Sequence, residues 1–191
     1  MRIISGSVRG RSLVSPNGLS TRPTTDKVRE AIFNVLITEV PDSRVLDVFA
    51  GTGALALEAL SRGAAEAFLI EKSSRAIKAI AENIKKCGFN NAHLIAGDCL
   101  RVIPGLKKSF DIIFLDPPYG AGLLIPALQA ILSDNILAPD GILVIETSAK
   151  EKFDKEKCAE SGEKFGDLPI TVKKQSHYGN TVISYCKHLV L

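Results

Sequence analysis

The chain has 191 residues, 46% hydrophobic and 24% charged, the proportions of an ordinary globular protein long enough for one α/β domain. No run approaches the ~18 uninterrupted apolar residues of a membrane span, and the opening MRIISGSVRG is too short an apolar stretch for a secretion signal, so a cytoplasmic protein with no membrane partner is expected. The net charge of +3 is uneven: residues 1–30 hold six basic side chains against two acidic ones, a footprint that could meet nucleic acid, although so small an excess by itself fits an ordinary solvated surface better.

RIIS and RSLV, joined by GSVRG, predict a β-hairpin over residues 2–14. After the polar loop SPNGLSTRP, the stretch TTDKVREAIFNVL predicts a helix. Thr and Asp stand at its start, Val28, Ile32, Val35 and Leu36 recur at helical spacing, and Pro41 lies beyond its end. Strands and helices then alternate. The patterns predict strands at 44–49, 66–71, 92–98, 110–116 and 141–146, and helices at 54–63, 74–88 and 122–133. Such alternation, with strands apolar throughout, implies a parallel sheet covered on both faces. Two last strands, around 169–174 and 181–187, are joined by SHYGN and so form an antiparallel hairpin. The expected architecture is a mostly parallel α/β sheet with one antiparallel strand near an edge. No repeat or linker divides the chain, so a single domain is expected, made of a basic arm (1–22) on a core (25–191). The cysteines Cys87, Cys99, Cys158 and Cys186 form no C-x-x-C pair, and no cluster asks for a metal.

The segment VLDVFAGTGALALEAL sets Asp47, Gly51 and Gly53 between the first core strand and its helix. In open α/β sheets ligands bind beyond the carboxyl ends of the strands. Ala56 replaces the third glycine of a dinucleotide fingerprint, and the Lys–Ser/Thr of a P-loop is missing, which disfavours nicotinamide and nucleoside triphosphates. Taken alone, GTG is weak evidence for a ligand, and a tight strand–helix turn is the better reading of it. Glu71 ends the next strand, where a carboxylate can accept both hydroxyls of a ribose, and Asp98 follows the third, where it can accept from an adenine amino group. Three successive strand ends with such groups suggest one adenosine-containing ligand laid across them. A fourth strand stops abruptly in FLDPPYG, whose prolines cannot extend a strand.

In this order, DVFAGTGALALEAL, IEK, GD and DPPYG resemble the S-adenosylmethionine-dependent methyltransferases of Rossmann-like fold. The resemblance implies S-adenosylmethionine as cofactor and a seven-stranded sheet whose last strand is antiparallel. It implies a cofactor set of Asp47, Phe49, Ala50, Gly51, Thr52, Gly53, Glu71, Lys72, Asp98 and Cys99. It also implies that Asp116, Pro117, Pro118 and Tyr119 serve methylation of a planar exocyclic nitrogen. Asp116 and the Pro117 carbonyl would accept its two N–H groups, the prolines would stiffen the loop, and Tyr119 would stack on the base.

The flanks RIISGSVRGRSL, LSTRPTTDKVREAIFNVL and SHYGNTVISYC resemble the bacterial 16S rRNA guanine-N2 methyltransferases of the RsmD family, nearly end to end. That implies a guanine of small-subunit rRNA as target, in free RNA or the assembled subunit, and a monomeric enzyme. Arg2, Arg9, Arg11, Arg22, Lys27 and Arg29 are the candidate phosphate contacts, with a structural ion pair an equal reading for Arg29. DPPY by itself does not choose among guanine N2, adenine N6, cytosine N4 and a glutamine amide, so adenine-N6 methylation of DNA or RNA and protein-glutamine methylation are the alternatives, although the glutamine enzymes typically carry Asn where Asp116 stands. A non-catalytic RNA-binding derivative of the fold is the alternative outside the enzymes. The presence of Asp47, Glu71, Asp98 and Asp116 together speaks against it.

Overall fold

Strands β1 (Arg44–Asp47) and β4 (Phe110–Leu115) lie side by side within a seven-stranded sheet in the computed structural model, which describes residues 1–15, 25–149 and 168–189. The others are β2 (Glu66–Glu71), β3 (Ala92–Ala96), β5 (Leu137–Ser148), β6 (Ile170–Tyr178) and β7 (Thr181–His188), in the spatial order β3-β2-β1-β4-β5-β7-β6. Strands β1 to β5 pair in parallel, and β7 runs antiparallel between β5 and β6. The chain winds outward from β1 to β3, crosses back to β4, and winds the other way. Ligands of open α/β sheets bind beyond the carboxyl ends of the strands at such a reversal, which here falls between β1 and β4. The predicted parallel sheet forms, with its antiparallel strand one place in from the edge.

Helix α1 (Asp26–Val35) is capped by Thr25, whose hydroxyl oxygen accepts the Val28 N–H at 3.3 Å. Helices α2 (Ala54–Ser61), α3 (Ser74–Cys87), α4 (Cys99–Val102) and α5 (Leu124–Ser133) follow, with a 3-10 turn at Ile103–Gly105. Alternate residues of β1 and β4 enter two separate cores, because successive side chains of a strand face opposite ways. Val45, Ile112 and Phe114 pack with Ile32, Leu57 and Ile80 of α1 to α3. Leu46, Ile113 and Leu115 pack with Ile103, Leu128 and Ile131 on the other face. A strand buried on both sides need not alternate in sequence, which is why the core strands read as unbroken apolar runs.

Several boundaries differ from expectation: β3 ends at Ala96, two residues early, and β6 runs on to Tyr178. Strand β1 stops at Asp47 as the chain turns into the glycine loop, tied to β4 by a bond from the Val48 N–H to the Phe114 carbonyl at 3.1 Å. Strand β5 begins at Leu137, four residues before the expected start at Gly141, because Leu137 pairs with Phe110 across a register shift. Helix α4 and the 3-10 turn are too short to show a hydrophobic period.

The N-terminal hairpin is a turn-rich arm instead of two regular strands. One antiparallel bridge joins Arg2 to Ser12, with bonds from the Gly10 N–H to the Ile3 carbonyl at 2.9 Å and from the Leu13 N–H to the Met1 carbonyl at 3.0 Å. Its backbone is bound to α2. Glu58 accepts the N–H groups of Ile4 and Ser5 at 2.7 and 3.0 Å, and the Ser61 carbonyl accepts that of Ser7 at 2.7 Å. Gly6 permits this approach, since a Cβ there would lie 1.8 Å from the Ser61 carbonyl oxygen. Ile3 and Leu13 are buried in the core. Among the described residues, no helix is long and apolar enough to cross a membrane and no acidic, His or Cys cluster could hold a metal ion.

Candidate active site

Asp47 ends β1 at 1% exposure. Its carboxylate accepts the backbone N–H groups of Phe49 and Ala56, yet Oδ2 has no partner. Burial pushes this carboxyl up to about 7, the nearby Glu71 charge pushes the same way, and the two N–H groups oppose them. A buried acceptor left open is costly unless something completes it. An amine or ammonium from a bound ligand is the donor it lacks, so the site fits an adenosine ligand that carries an amino-acid group. The loop then turns through Phe49, half-buried, and Ala50, whose N–H is held by the Ile70 carbonyl at 3.0 Å. Gly53 caps α2 at φ 76°, and a Cβ there would meet Leu69 Cδ2 at 2.9 Å.

Glu71, at the end of β2, braces this loop. Its Oε2 accepts the Gly51 N–H at 2.8 Å, and Oε1 accepts the N–H groups of Lys72 and Ser73 at 2.9 and 2.8 Å. A carboxylate oxygen takes about two donors. Oε1 is therefore filled and Oε2 can take one more, so the bidentate diol grip expected of Glu71 reduces to a single further bond in this geometry. Asp98 caps α4 by accepting the Leu100 N–H at 3.0 Å, and the exposed Lys72 ammonium stands 3.7 Å from its Oδ2. Cys99 is buried beneath them, its thiol pushed upward by burial and then by the Asp98 charge. Acids at three strand ends thus share one rim, as the spacing suggested.

Across the β1–β4 reversal, β4 runs into Asp116, which is half-buried. Pro117 is buried, Pro118 exposed, and Tyr119 is 49% exposed. The Tyr119 hydroxyl donates to Glu146 Oε1 at 3.0 Å. Burial, and next the Glu146 charge, hold that phenol well above its ordinary range. One edge of the ring is therefore anchored while nearly half its surface stays open to a stacking partner. Glu146, on β5 and 6% exposed, is a site residue the sequence reading passed over. The signal was available: GILVIE ends in an acid as EAFLIE does.

The six candidate phosphate contacts separate. Arg2, Arg9 and Lys27 are exposed and line one open cleft of about 320 Å³ between the arm and α1, together with Asp26 and Glu30. Arg11 is exposed on another side, near Cys87. Arg22 lies outside the described residues. Arg29 is a correction: its side chain is fully buried, donates to Asp26 Oδ1 at 3.0 Å and to the Arg2 carbonyl, and stands 3.8 Å from the buried Glu58. It meets no phosphate; it fastens α1 and the arm to α2. Charge counting could not see Glu58, which comes from a different helix.

A protein family described as Conserved hypothetical protein 95 matches residues 1–184. YlbH of Bacillus subtilis is 39% identical over 191 residues, 98% of each chain. Ribosomal RNA small subunit methyltransferase D of Escherichia coli is 37% identical over 150 residues, 78% of this chain and 76% of its own. The solved structure of Escherichia coli yhhF superposes with a TM-score of 0.81 at 30% identity, covering 98% of this chain and 97% of that one. With a matched family that spans nearly its whole length and relatives of this closeness, the chain belongs to the Conserved hypothetical protein 95 family, that of the small-subunit rRNA methyltransferases D.

Proposed function

We propose that the protein transfers a methyl group from S-adenosylmethionine to the exocyclic N2 of a guanine in 16S rRNA, as a cytoplasmic monomer acting on the small subunit or its RNA. One observation carries the reading: the glycine loop and the Asp116–Tyr119 loop flank the β1–β4 reversal, joined by the bond from the Val48 N–H to the Phe114 carbonyl at 3.1 Å. Phe49 to Gly53, with Asp47 and Glu71, would hold the amino-acid and ribose parts of the cofactor. Lys72, Asp98 and Cys99 would hold the adenine. When bound, S-adenosylmethionine supplies a methyl group activated by its sulfonium.

The chain's own residues then deal with the amine. A guanine N2 is a poor nucleophile because its lone pair is delocalised into the ring. The Asp116 carboxylate accepts one of its N–H groups and the Pro117 carbonyl the other, which directs the lone pair at the incoming methyl. The prolines keep the two acceptors in register. As the nitrogen gains positive charge its proton becomes acidic and leaves to Asp116 or to solvent. Tyr119, fixed through Glu146, stacks on the extruded base.

The test supplies labelled S-adenosylmethionine to small subunits lacking the modification and identifies the labelled nucleoside by mass spectrometry. N2-methylguanosine at one position is expected, and Asp116→Ala should slow its formation by at least about 10²-fold with cofactor affinity within twofold. Label on adenine or on protein would refute the substrate assignment.

A further inference from the structure

Helix α3 carries one polar residue on its buried face, among Ala76, Ala79, Ile80 and Cys87: Asn83, fully buried. Its amide joins two segments far apart in sequence. Oδ1 accepts the Val14 N–H at 2.7 Å, and Nδ2 donates to the carbonyls of Val14 and Thr52, both at 3.0 Å. Val14 belongs to the arm and Thr52 to the glycine loop. The side chain thus meets Val14 as a neighbouring β-strand would, exchanging both backbone bonds, and spends its remaining donor on the loop.

The glycine loop has few other supports. Gly51 and Gly53 flank Thr52 at φ 56° and 76°, and the helix ladder reaches only the far end of this turn, where the Gly53 carbonyl accepts the Leu57 N–H at 2.9 Å. Their other fixed points are the Gly51 N–H on Glu71 Oε2 at 2.8 Å, the Gly53 N–H on the Ala50 carbonyl at 2.6 Å, and the Thr52 carbonyl on Asn83. A second arm contact lies nearby, with the Thr52 hydroxyl 3.8 Å from Met1 Sδ. A buried amide is expensive unless bonded, so the three bonds must stand or fall together.

We propose that Asn83 is a positioning residue for the cofactor loop, and that through it the backbone of the N-terminal arm is part of the cofactor site while its exposed side chains face RNA. The proposal rests on the cofactor reading given above. Its test is direct calorimetric titration of the full chain with S-adenosylmethionine, without RNA. Asn83→Ala should weaken binding about tenfold. Ser61→Ala is the control: it removes the Ser61 hydroxyl bonds to Val8 and Ser5, loosening the arm at its other end without touching the loop. It should stay within twofold of wild type.

Asn83→Asp gives a second readout. Its carboxylate accepts the Val14 N–H but has nothing to donate to Thr52, so binding is weak at high pH. The deficit relative to wild type should shrink as the pH falls and the acid regains a donor proton. Equal affinity for Asn83→Ala and wild type would overturn the proposal, as would equal losses in the Asn83 and Ser61 variants. A wild type that binds no S-adenosylmethionine would overturn the proposed function itself, and this one with it.

Discussion

Glu58 ties together the arm, Arg29 and Arg62, and Glu58→Ala tests whether the arm is fastened as argued. The carboxylate is fully buried, accepts Ile4 and Ser5 N–H groups, bonds Arg62 Nε at 2.8 Å, and is 3.8 Å from Arg29 Nε. Burial lowers the Arg29 pKa from its usual value, and Glu58 is the strongest influence holding it up. Removing one partner of a buried pair costs about 3–5 kcal/mol. The two freed arm N–H groups add about 1 kcal/mol each where water cannot reach them. These terms overlap, because the arm shifts as the pair breaks, so the total is about 5 kcal/mol. For a chain of this size each kcal/mol moves Tm by roughly 2–4 °C, and the expected fall is about 10–20 °C in a calorimetric scan. Glu58→Gln retains an acceptor oxygen and should lose about half as much. A fall of less than about 3 °C for Glu58→Ala would refute the reasoning, since ordinary surface substitutions reach that far.

Asp47 makes stability depend on pH. Its carboxyl is raised to about 7 in the folded protein, above its unfolded value, so its contribution is present below about pH 4 and is lost as pH rises through 7. Stability from urea unfolding without ligand should fall between pH 5 and pH 8 by roughly 2.5 kcal/mol, and Asp47→Asn should flatten that slope. Tyr119→Phe removes the hydroxyl bond to Glu146 and keeps the ring; KM for the RNA substrate should rise about three- to tenfold with a smaller change in kcat, read by steady-state kinetics. Replacing Arg2, Arg9 and Lys27 together with Gln should reduce the slope of log affinity against log salt by about 2, measured by filter binding. Arg29→Met should leave that slope unchanged and lower Tm instead.

How much of this the sequence disclosed depended on how local each cause was. EAFLIE became β2 with the predicted ends, because a short apolar run between polar neighbours is a local signal. The lower helix of that unit stopped at Gly88 for the same reason: glycine takes the left-handed cap at φ 75° that ends α3. The candidate rim of Asp47, Glu71 and Asp98 was legible because each acid follows a strand, and parallel strands bring such ends together. What was hidden comes from partners distant in the chain. Arg29 stood evenly between a phosphate contact and a structural ion pair until Glu58 lay beside it, and nothing in the sequence singled out Asn83 before Val14 and Thr52 reached it. Leu137 joined β5 only because Phe110 was there to pair with it.

The place of β7 also governs the order in which the sheet can be completed. β6 is made before β7 but, among the described residues, finds its only ladder partner in it, and β7 must slide in against β5 as it does so. Until Thr181–His188 has been synthesised, β5 keeps a bare edge and β6 has nowhere to dock. Folding of this half must therefore wait for long-range pairing, a slow class of event. A chain cut short before residue 181 would lose two strands for the length of one, and with them the wall of hydrophobic side chains, Ile183, Tyr185 and Cys186, that β7 sends into both cores.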